Sequence, residues 1–385
     1  MHLHKYEITN QSNYTTVDQI CQLVLFENCV YNIKKQKVKR VLFMEKELWK
    51  YLKHTDKPIV LYGMGNGADK IISVLEDFGI EFKGVFASDG FVRNKLFHGF
   101  KISTYNELKE KFSQMIVLLC FGSSLTDVIE NIKKIANEQE LFAPEVPVIG
   151  GGLFTEEYYK SNKADFDFVY SRLADKESKK TFENIIKYKL SGKIDYLLDC
   201  EVEPDEPYNT FLKLKNETFL DLGAYNGDTA LDLASRCPDY SGIYAVEPDV
   251  KTFKKLAANT AHLHNISLIN ACVSDCCGYL PFSMRSGRNS AIASDGTPLK
   301  SITVDSLNLN FSYIKMDVEG EELNAIKGAT STILKYKPKI LISAYHRTDD
   351  LIKIPQTVLG IRDDYKIYMR HFKYLPAWDT NFYFI

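Results

Sequence analysis

The chain has no C-x-x-C pair, no long apolar run and no excess of either charge, and each absence removes a class of function. Its eight cysteines (positions 21, 29, 120, 200, 237, 272, 276 and 277) are scattered. That spread in a large chain favours reduced thiols over a disulfide frame or a zinc site. Cys272, Cys276 and Cys277 cluster without metal-ligand spacing and are read as structural thiols. The strongest apolar stretch, Met115 to Phe121, is far too short to span a bilayer. The first residues, Met1-His-Leu-His-Lys-Tyr-Glu7, lack a basic stretch followed by an apolar one, so a cytoplasmic location is expected. Lys+Arg 48 against Asp+Glu 50 leaves a net charge of −2. Such a balance supplies no global field for gripping a phosphate backbone or an anionic membrane, and neither is expected as a partner.

What is present is a composition for folding: 45% hydrophobic and 25% charged residues over 385 positions, enough for two or three globular domains. From Val17 to Leu52 apolar residues (Ile20, Leu23, Val24, Val41, Leu42, Leu48, Leu52) recur at helical intervals, giving a helical N-terminal segment over 1–55. Residues 56–150 show a buried strand at Lys57–Tyr62, a glycine turn, a helix at Asp69–Phe78 and strands at Phe82–Ala87 and Met115–Phe121. That order predicts a small Rossmann-like domain. Residues 151–205, rich in Glu, Lys, Tyr and Phe, predict a helical linker ending in the acidic, proline-marked Glu201–Pro207. Over 206–385, strands are expected at Phe219–Asp221, Gly242–Val246, Ile266–Val273, Tyr313–Met316, Pro338–Ser343, Tyr365–Arg370 and Asn381–Phe384. The fold class is therefore α/β, with a seven-stranded doubly wound C-terminal sheet beside the smaller N-terminal Rossmann-like domain.

The C-terminal glycine turn carries the chemistry. In Asp221-Leu-Gly223-Ala224-Tyr225-Asn226-Gly227-Asp228-Thr229 an acid ends an apolar strand, glycines follow four apart, and a helix begins. Glycine permits the sharp turn and the close approach of a ligand to the backbone. A carboxylate before the first glycine suits an ammonium better than a pyrophosphate, which points to S-adenosylmethionine. Glu247, followed by Pro248 at the tip of the next strand, is placed to accept both ribose hydroxyls, as an acid about 20 residues beyond a dinucleotide turn does. Asp275 follows the third strand, where an acceptor can take the adenine amino group. The alternative for these acids is the capping of helices and turns.

With Val246-Glu-Pro248, Tyr313-Ile-Lys-Met-Asp317-Val-Glu319-Gly320-Glu-Glu322, Lys327-Gly-Ala329 and Ser343-Ala-Tyr-His346, this turn resembles the FkbM family of S-adenosylmethionine-dependent methyltransferases over about residues 206–385. Residues 173–192 resemble the helical lead-in of longer members, in which a Rossmann-like domain precedes the methyltransferase. The resemblance implies a class I methyltransferase fold and transfer to an oxygen, often of a sugar or polyketide-type hydroxyl.

Lys315, Asp317 and Glu319 alternate at a strand end and so share a face, and His346 ends the neighbouring strand. Methyl transfer to an alcohol needs the acceptor oxygen about 3 Å from the methyl carbon and the loss of its proton. His346 or Asp317 can take that proton; alternatively Asp317, Glu319 and His346 can hold a divalent ion that acidifies the hydroxyl. Lys315 and Glu319 can equally form a structural ion pair, and Glu322 is read as a helix-start residue. Arg285, Arg288 and Asn289 sit in a Gly/Ser-rich loop, and Tyr345 and Trp378 offer aromatic faces for a sugar ring or for the core.

A rival site is Gly63-Met-Gly65-Asn-Gly67-Ala68, which matches G-x-G-x-x-A with Asp89 downstream. It supports an NAD-dependent or nucleotide-sugar-binding sugar-modifying enzyme; a non-catalytic nucleotide-binding scaffold is the third reading. The sequence leaves open homo-oligomerisation and whether the acceptor is a small molecule or a glycan.

Overall fold

Side chains of β1 (Ile59–Tyr62) alternate between two apolar layers, and that alternation organises the N-terminal half. Ile59 and Leu61 join Ala68, Ile71 and Leu75 of the helix Asn66–Asp77, while Val60 and Tyr62 join Ile129, Ile132 and Ile135 of the helix Thr126–Glu138. A strand covered on both faces is buried throughout, as parallel α/β sheets require. With β2 (Gly84–Phe86), β3 (Leu96–Phe97), β4 (Phe100–Ser103), β5 (Ile116–Leu119) and β6 (Glu140–Phe142) it forms a six-stranded sheet of order β3-β4-β2-β1-β5-β6. Only β3 runs antiparallel to its neighbour. Where the sequence predicts three strands, six form; β3 has only two residues, and β4 and β6 are not the uniformly apolar runs by which β1, β2 and β5 are recognised. The computed structural model describes residues 45–88, 90, 95–283, 291–292 and 297–385. Asp89, Arg285, Arg288, Asn289 and the apolar positions Ile20 to Leu42 of the expected N-terminal helix lie outside the described residues.

The C-terminal half repeats the logic at larger scale. Strands β7 (Glu201–Val202), β8 (Thr218–Leu222), β9 (Gly242–Val246), β10 (Ile266–Ile269), β15 (Tyr313–Met316), β16 (Lys339–Ser343), β17 (Ile367–Phe372) and β18 (Thr380–Phe384) form one sheet of order β10-β9-β8-β15-β16-β18-β17-β7. Pairing is parallel from β10 to β16, and β18 runs antiparallel to both β16 and β17. The chain order reverses between β8 and β15, so a crevice opens at their carboxyl ends. The count is eight rather than the predicted seven, because the two-residue β7 adds to the edge beside β17. The expected continuous strand Ile266–Val273 is also broken. Asn270 turns its amide to the carbonyls of Glu247 and Pro248, at 2.8 and 3.0 Å, which ends the β10 ladder. Residues beyond it form β11 (Cys272–Val273), which joins a separate four-stranded sheet with β12 (Gly278–Ser283), β13 (Ala291–Ile292) and β14 (Thr297–Ile302).

Helices between residues 156 and 200 fill the space between the two large sheets. Phe166, Phe182 and Ile185 share one continuous core with Val117 of the first sheet and Ile314 and Ile367 of the second. The longest of these helices, Lys176–Ser191, is capped by the Asp175 carboxylate, which accepts from Ser178 N at 2.7 Å, and it stops at Gly192 in the left-handed conformation. Among the described residues, no helix is long and apolar enough to cross a membrane.

Arg370 on β17 ties this helix to the sheet. Its guanidinium, 1% exposed, reaches Asp175 at 2.7 Å and Glu206 at 2.6 Å. Asp175 and Glu206 are partly exposed, at 32% and 23%, so removing the guanidinium costs its charge-assisted hydrogen bonds, about 1–3 kcal/mol, rather than stranding a buried uncompensated charge. Arg370→Met is therefore expected to lower the urea midpoint of unfolding by an amount equivalent to about 1–3 kcal/mol, and an unchanged midpoint would show that the cluster is not structural.

Candidate active site

The predicted glycine turn is a tight fit against the neighbouring strand end. Gly223 has φ +77°, and a Cβ there would stand 1.8 Å from the carbonyl oxygen of Asp317. No side chain can be accommodated at that distance, so the turn after β8 and the loop after β15 can meet only through glycine. Gly223 and Ala224 donate to Val246 O, both at 3.0 Å, which fixes the turn beside the end of β9. Gly227, at φ +91°, opens the helix Asp228–Arg236 where a Cβ would press on Thr260 and Leu256. Tyr225 stands between the two glycines at φ +46°, a conformation uncommon for a side-chain-bearing residue.

Around this turn lies a cavity of about 500 Å³. Gly223, Tyr225, Asp228, Thr229, Glu247 and Pro248 line one part of it; Lys315, Asp317, Glu319 and Tyr345 line another. Of the sequence candidates, Asp221, Ala224, Asn226, Gly227 and His346 do not line the cavity, and Asp275 is exposed beyond β11. The sequence did not single out Tyr208, Asp232, Arg236, Tyr374, Asp379 or Asn381, which also line the cavity. Antiparallel β18 brings its starting end, with Asp379 and Asn381, to the carboxyl ends of the parallel strands, a consequence of topology that no local motif announces.

Glu247 keeps its predicted position at the end of β9. Its two carboxylate oxygens accept from Tyr225 N at 3.0 Å and Asp249 N at 2.8 Å, so each retains a lone pair for a further donor. Burial pushes this carboxyl up to about 7, against the two backbone donors, which favour the charged form.

Asp221 differs from expectation in its partner. It is fully buried, and the ammonium on it is the protein's own: Lys315 Nζ lies 3.2 Å from Asp221 Oδ1 and donates to Gly223 O at 2.8 Å. The pairing follows from register, since Asp221 and Lys315 are directly opposite on β8 and β15. Burial pulls the Lys315 ammonium down, but Asp221 and Asp317 outweigh it and hold it above its usual value. Lys315 is thus engaged in the wall and holds its ammonium at the turn.

His346 also sits differently from a free base. It is completely buried, with Nε2 3.5 Å from Asp317 Oδ1 and 3.6 Å from Glu319 Oε2, and Nδ1 3.0 Å from Glu322 Oε1. Burial opposes the charged ring, yet Glu322, Asp317 and Glu319 together raise it to about 10. A ring that keeps its proton at neutral pH does not accept one from a substrate, so the cavity-facing candidate is Asp317. Tyr345 donates to Asp317 Oδ1 at 3.2 Å. Glu322 does begin the helix Glu322–Lys327, as read from the sequence, but its carboxylate turns back into the interior, 1% exposed, to accept from Val318 N at 3.0 Å and Gly320 N at 3.3 Å.

Two of the three glycines of the first turn are closed in by the protein itself, while Gly65, at φ +93°, faces open space. A Cβ on Gly63 would meet the Phe121 ring at 2.5 Å, and one on Gly67 would meet Cys120 O at 2.4 Å. Gly67 serves close packing of the helix Asn66–Asp77 beside the end of β5, and none of the three glycines lines the cavity described above.

Because the Asp317 carbonyl occupies the space of a Gly223 side chain, Gly223→Ala is expected to lower the denaturant-measured stability by about 3 kcal/mol. A stable variant with unchanged unfolding would show that the two loops move apart freely.

Residues 221–371 match the family described as the Methyltransferase FkbM domain. No curated protein matches the chain. Among solved structures, a methyltransferase FkbM from Methylobacillus flagellatus KT is similar at a TM-score of 0.70 and 19% identity, covering 95% of this chain and 99% of that one. A precorrin-6y C5,15-methyltransferase from Geobacter metallireducens GS-15 matches at a TM-score of 0.29 and 14% identity, over 45% of this chain and 80% of the other. Aeropyrum pernix fibrillarin with bound S-adenosyl-L-methionine matches at 0.29 and 13%, over 44% and 67%. Residues 221–371 thus match a methyltransferase FkbM domain, and the chain shares the fold of a methyltransferase of that description.

Proposed function

We propose that this protein transfers a methyl group from S-adenosylmethionine to a hydroxyl, with a sugar or glycan precursor as the acceptor. The carrying observation is that one cavity joins the glycine turn and Glu247 to a cavity-facing carboxylate, Asp317, and to the rings of Tyr345, Tyr374 and Trp378. Glycine at 223 leaves the backbone bare beside the cavity, and Glu247 offers two free lone pairs for vicinal ribose hydroxyls. Ala271, Cys272 and Val273 give an apolar wall for a base. Asp221 acts here through Lys315: by holding that ammonium at the turn, it favours a negatively charged group such as the donor's carboxylate.

The acceptor would enter from the aromatic side, where Tyr374 and Trp378 stand with ring centroids 6.0 Å apart. Aromatic faces suit the C–H faces of a sugar, while Asp379 and Asn381 offer polar partners for its hydroxyls. Transfer is an in-line displacement in which the acceptor oxygen attacks the methyl carbon opposite the sulfur. As the new C–O bond forms and the C–S bond breaks, Asp317 accepts the hydroxyl proton and the neutral thioether leaves. Lys315 and His346, both positive, favour Asp317 as a carboxylate ready for that role.

Calorimetric titration with S-adenosylhomocysteine, with NAD alongside, tests the donor: one nucleoside site per chain and none for NAD is expected. Asp317→Asn is expected to keep nucleoside affinity within about twofold while lowering kcat about 100-fold or more on an accepted sugar. Equal loss of binding and turnover would remove the assigned role. Because ribose hydroxyls favour the ionised Glu247, binding expels the proton that this group carries below about 7. Nucleoside affinity is therefore expected to rise from pH 6 to 8 and level off, and Glu247→Gln to weaken binding and flatten the profile. A flat profile in the unaltered protein would separate Glu247 from the ribose.

A further inference from the structure

The ground beneath the cavity floor holds more negative charge than its neighbours balance. Asp317, Glu319 and Glu322 lie within 3.6 Å of the single imidazole of His346, and Asp350, which accepts from Arg347 N at 2.7 Å, adds its charge beside Glu322; of the nearby cations, Lys315 is shared between Asp221 and Asp317, and Arg347 reaches Gly320 O at 2.7 Å and Glu321 at 3.6 Å. Uncompensated charge in an interior is costly, so such a cluster persists only with a counter-charge. A second observation points the same way. Glu322 Oε2 is buried without any hydrogen-bond partner, and neither ring nitrogen of His346 makes a straight hydrogen bond. Glu322 Oε1, at 3.0 Å from Nδ1, stands off the line of the N–H.

Asp317, Glu322 and His346 each offer one ligand atom, and these atoms all lie within 4.8 Å of one another. A divalent ion with bonds of about 2.1–2.2 Å holds its ligand atoms about 3 to 4.4 Å apart, so a small inward adjustment of the side chains closes the set. We propose that Asp317, Glu322 and His346 form a divalent-cation site at the edge of the cavity, with Glu319 on its open side, the ion taking the place of the proton that His346 otherwise holds and releasing it to solvent. Two carboxylates and an imidazole suit Mn²⁺, Fe²⁺, Co²⁺ or Zn²⁺ better than Ca²⁺, which prefers a larger set of oxygens. The backbone builds the site: Glu319 at φ +52° and Gly320 at φ +91° bend the chain sharply after β15, so that Glu322 folds back beneath Asp317. Asp317 links the ion to the cavity, and a cation there would lower the pKa of an acceptor hydroxyl held next to it. That role rests on the proposed methyl transfer; the binding of the ion does not.

The test uses the full chain, stripped with EDTA and titrated with MnCl2 by calorimetry, and with CoCl2 by visible absorption, both without nucleoside or acceptor. One Mn²⁺ per chain is expected, together with Co²⁺ bands of a site containing nitrogen. Glu322→Gln and His346→Gln, checked for folding by circular dichroism, should each weaken Mn²⁺ binding at least about 10-fold, and His346→Gln should change the Co²⁺ spectrum. Absence of ion binding by the folded unaltered protein, or equal binding by the two variants, overturns the site. Should a variant not fold, the Mn²⁺ stoichiometry and Co²⁺ spectrum of the unaltered chain decide the matter. A parallel titration with S-adenosylhomocysteine keeps the two ideas apart: nucleoside binding without Mn²⁺ binding removes only the cation site, and the reverse removes only the proposed function.

Discussion

The contact between Gly223 and the Asp317 carbonyl is the constraint on which the site depends. At the point where β8 and β15 part, the two loops that follow them are pressed together with no room for a Cβ between them. That closeness lets one short stretch of backbone face the cavity at Gly223 while the next residues on the opposing strand, Asp317 and Glu319, face it from the other side. The buried pair of Asp221 and Lys315 lies one step behind and locks the two strands in register. A parallel sheet creates such a crevice wherever its order reverses, and here the residues that fill it are those able to handle charge.

Charge is handled in two adjoining nests, linked by the attraction between Lys315 and Asp317. Lys315 neutralises Asp221 and holds an ammonium at the glycine turn, whereas His346 is surrounded by carboxylates on three sides. The first nest is balanced and reads as architecture that also presents a positive group. The second is unbalanced, and that imbalance at the wall of a cavity is characteristic of sites where stability has been given up for function.

The N-terminal sheet contributes to this wall directly. Ser123, just beyond β5, bonds reciprocally to Leu375 at 2.8 and 3.0 Å, and Gly122 lies so close to Tyr374 and Trp378 that a Cβ would meet both rings within 2.8 Å. Ile149 N donates to His346 O at 3.0 Å, and the Ile149 side chain packs on Gly320. The aromatic rim and the turn that carries Glu319 are thus braced by residues far away in sequence. In the glycine motif of the first sheet, which by pattern alone resembles a nucleotide turn, Gly63 makes room for Phe121 and Gly67 for the Cys120 carbonyl.

The sequence by itself determined the elements and the turn chemistry. Apolar runs at Ile59–Tyr62, Phe219–Leu222 and Tyr313–Met316 are strands because both faces must be covered, and Gly223 and Gly227 are glycines because of the backbone angles they adopt. The position of Glu247 followed from the same local reasoning. Tertiary structure alone decided which charges meet. Lys315 finds Asp221 through cross-strand register, Glu322 turns inward because of the backward bend at Glu319 and Gly320, and Asn381 arrives on antiparallel β18 with Tyr374 and Asp379 in the connection that leads to it. A carboxylate's role depends on the burial and partners around it, and these are set by chain segments tens to hundreds of residues away, which no local pattern encodes.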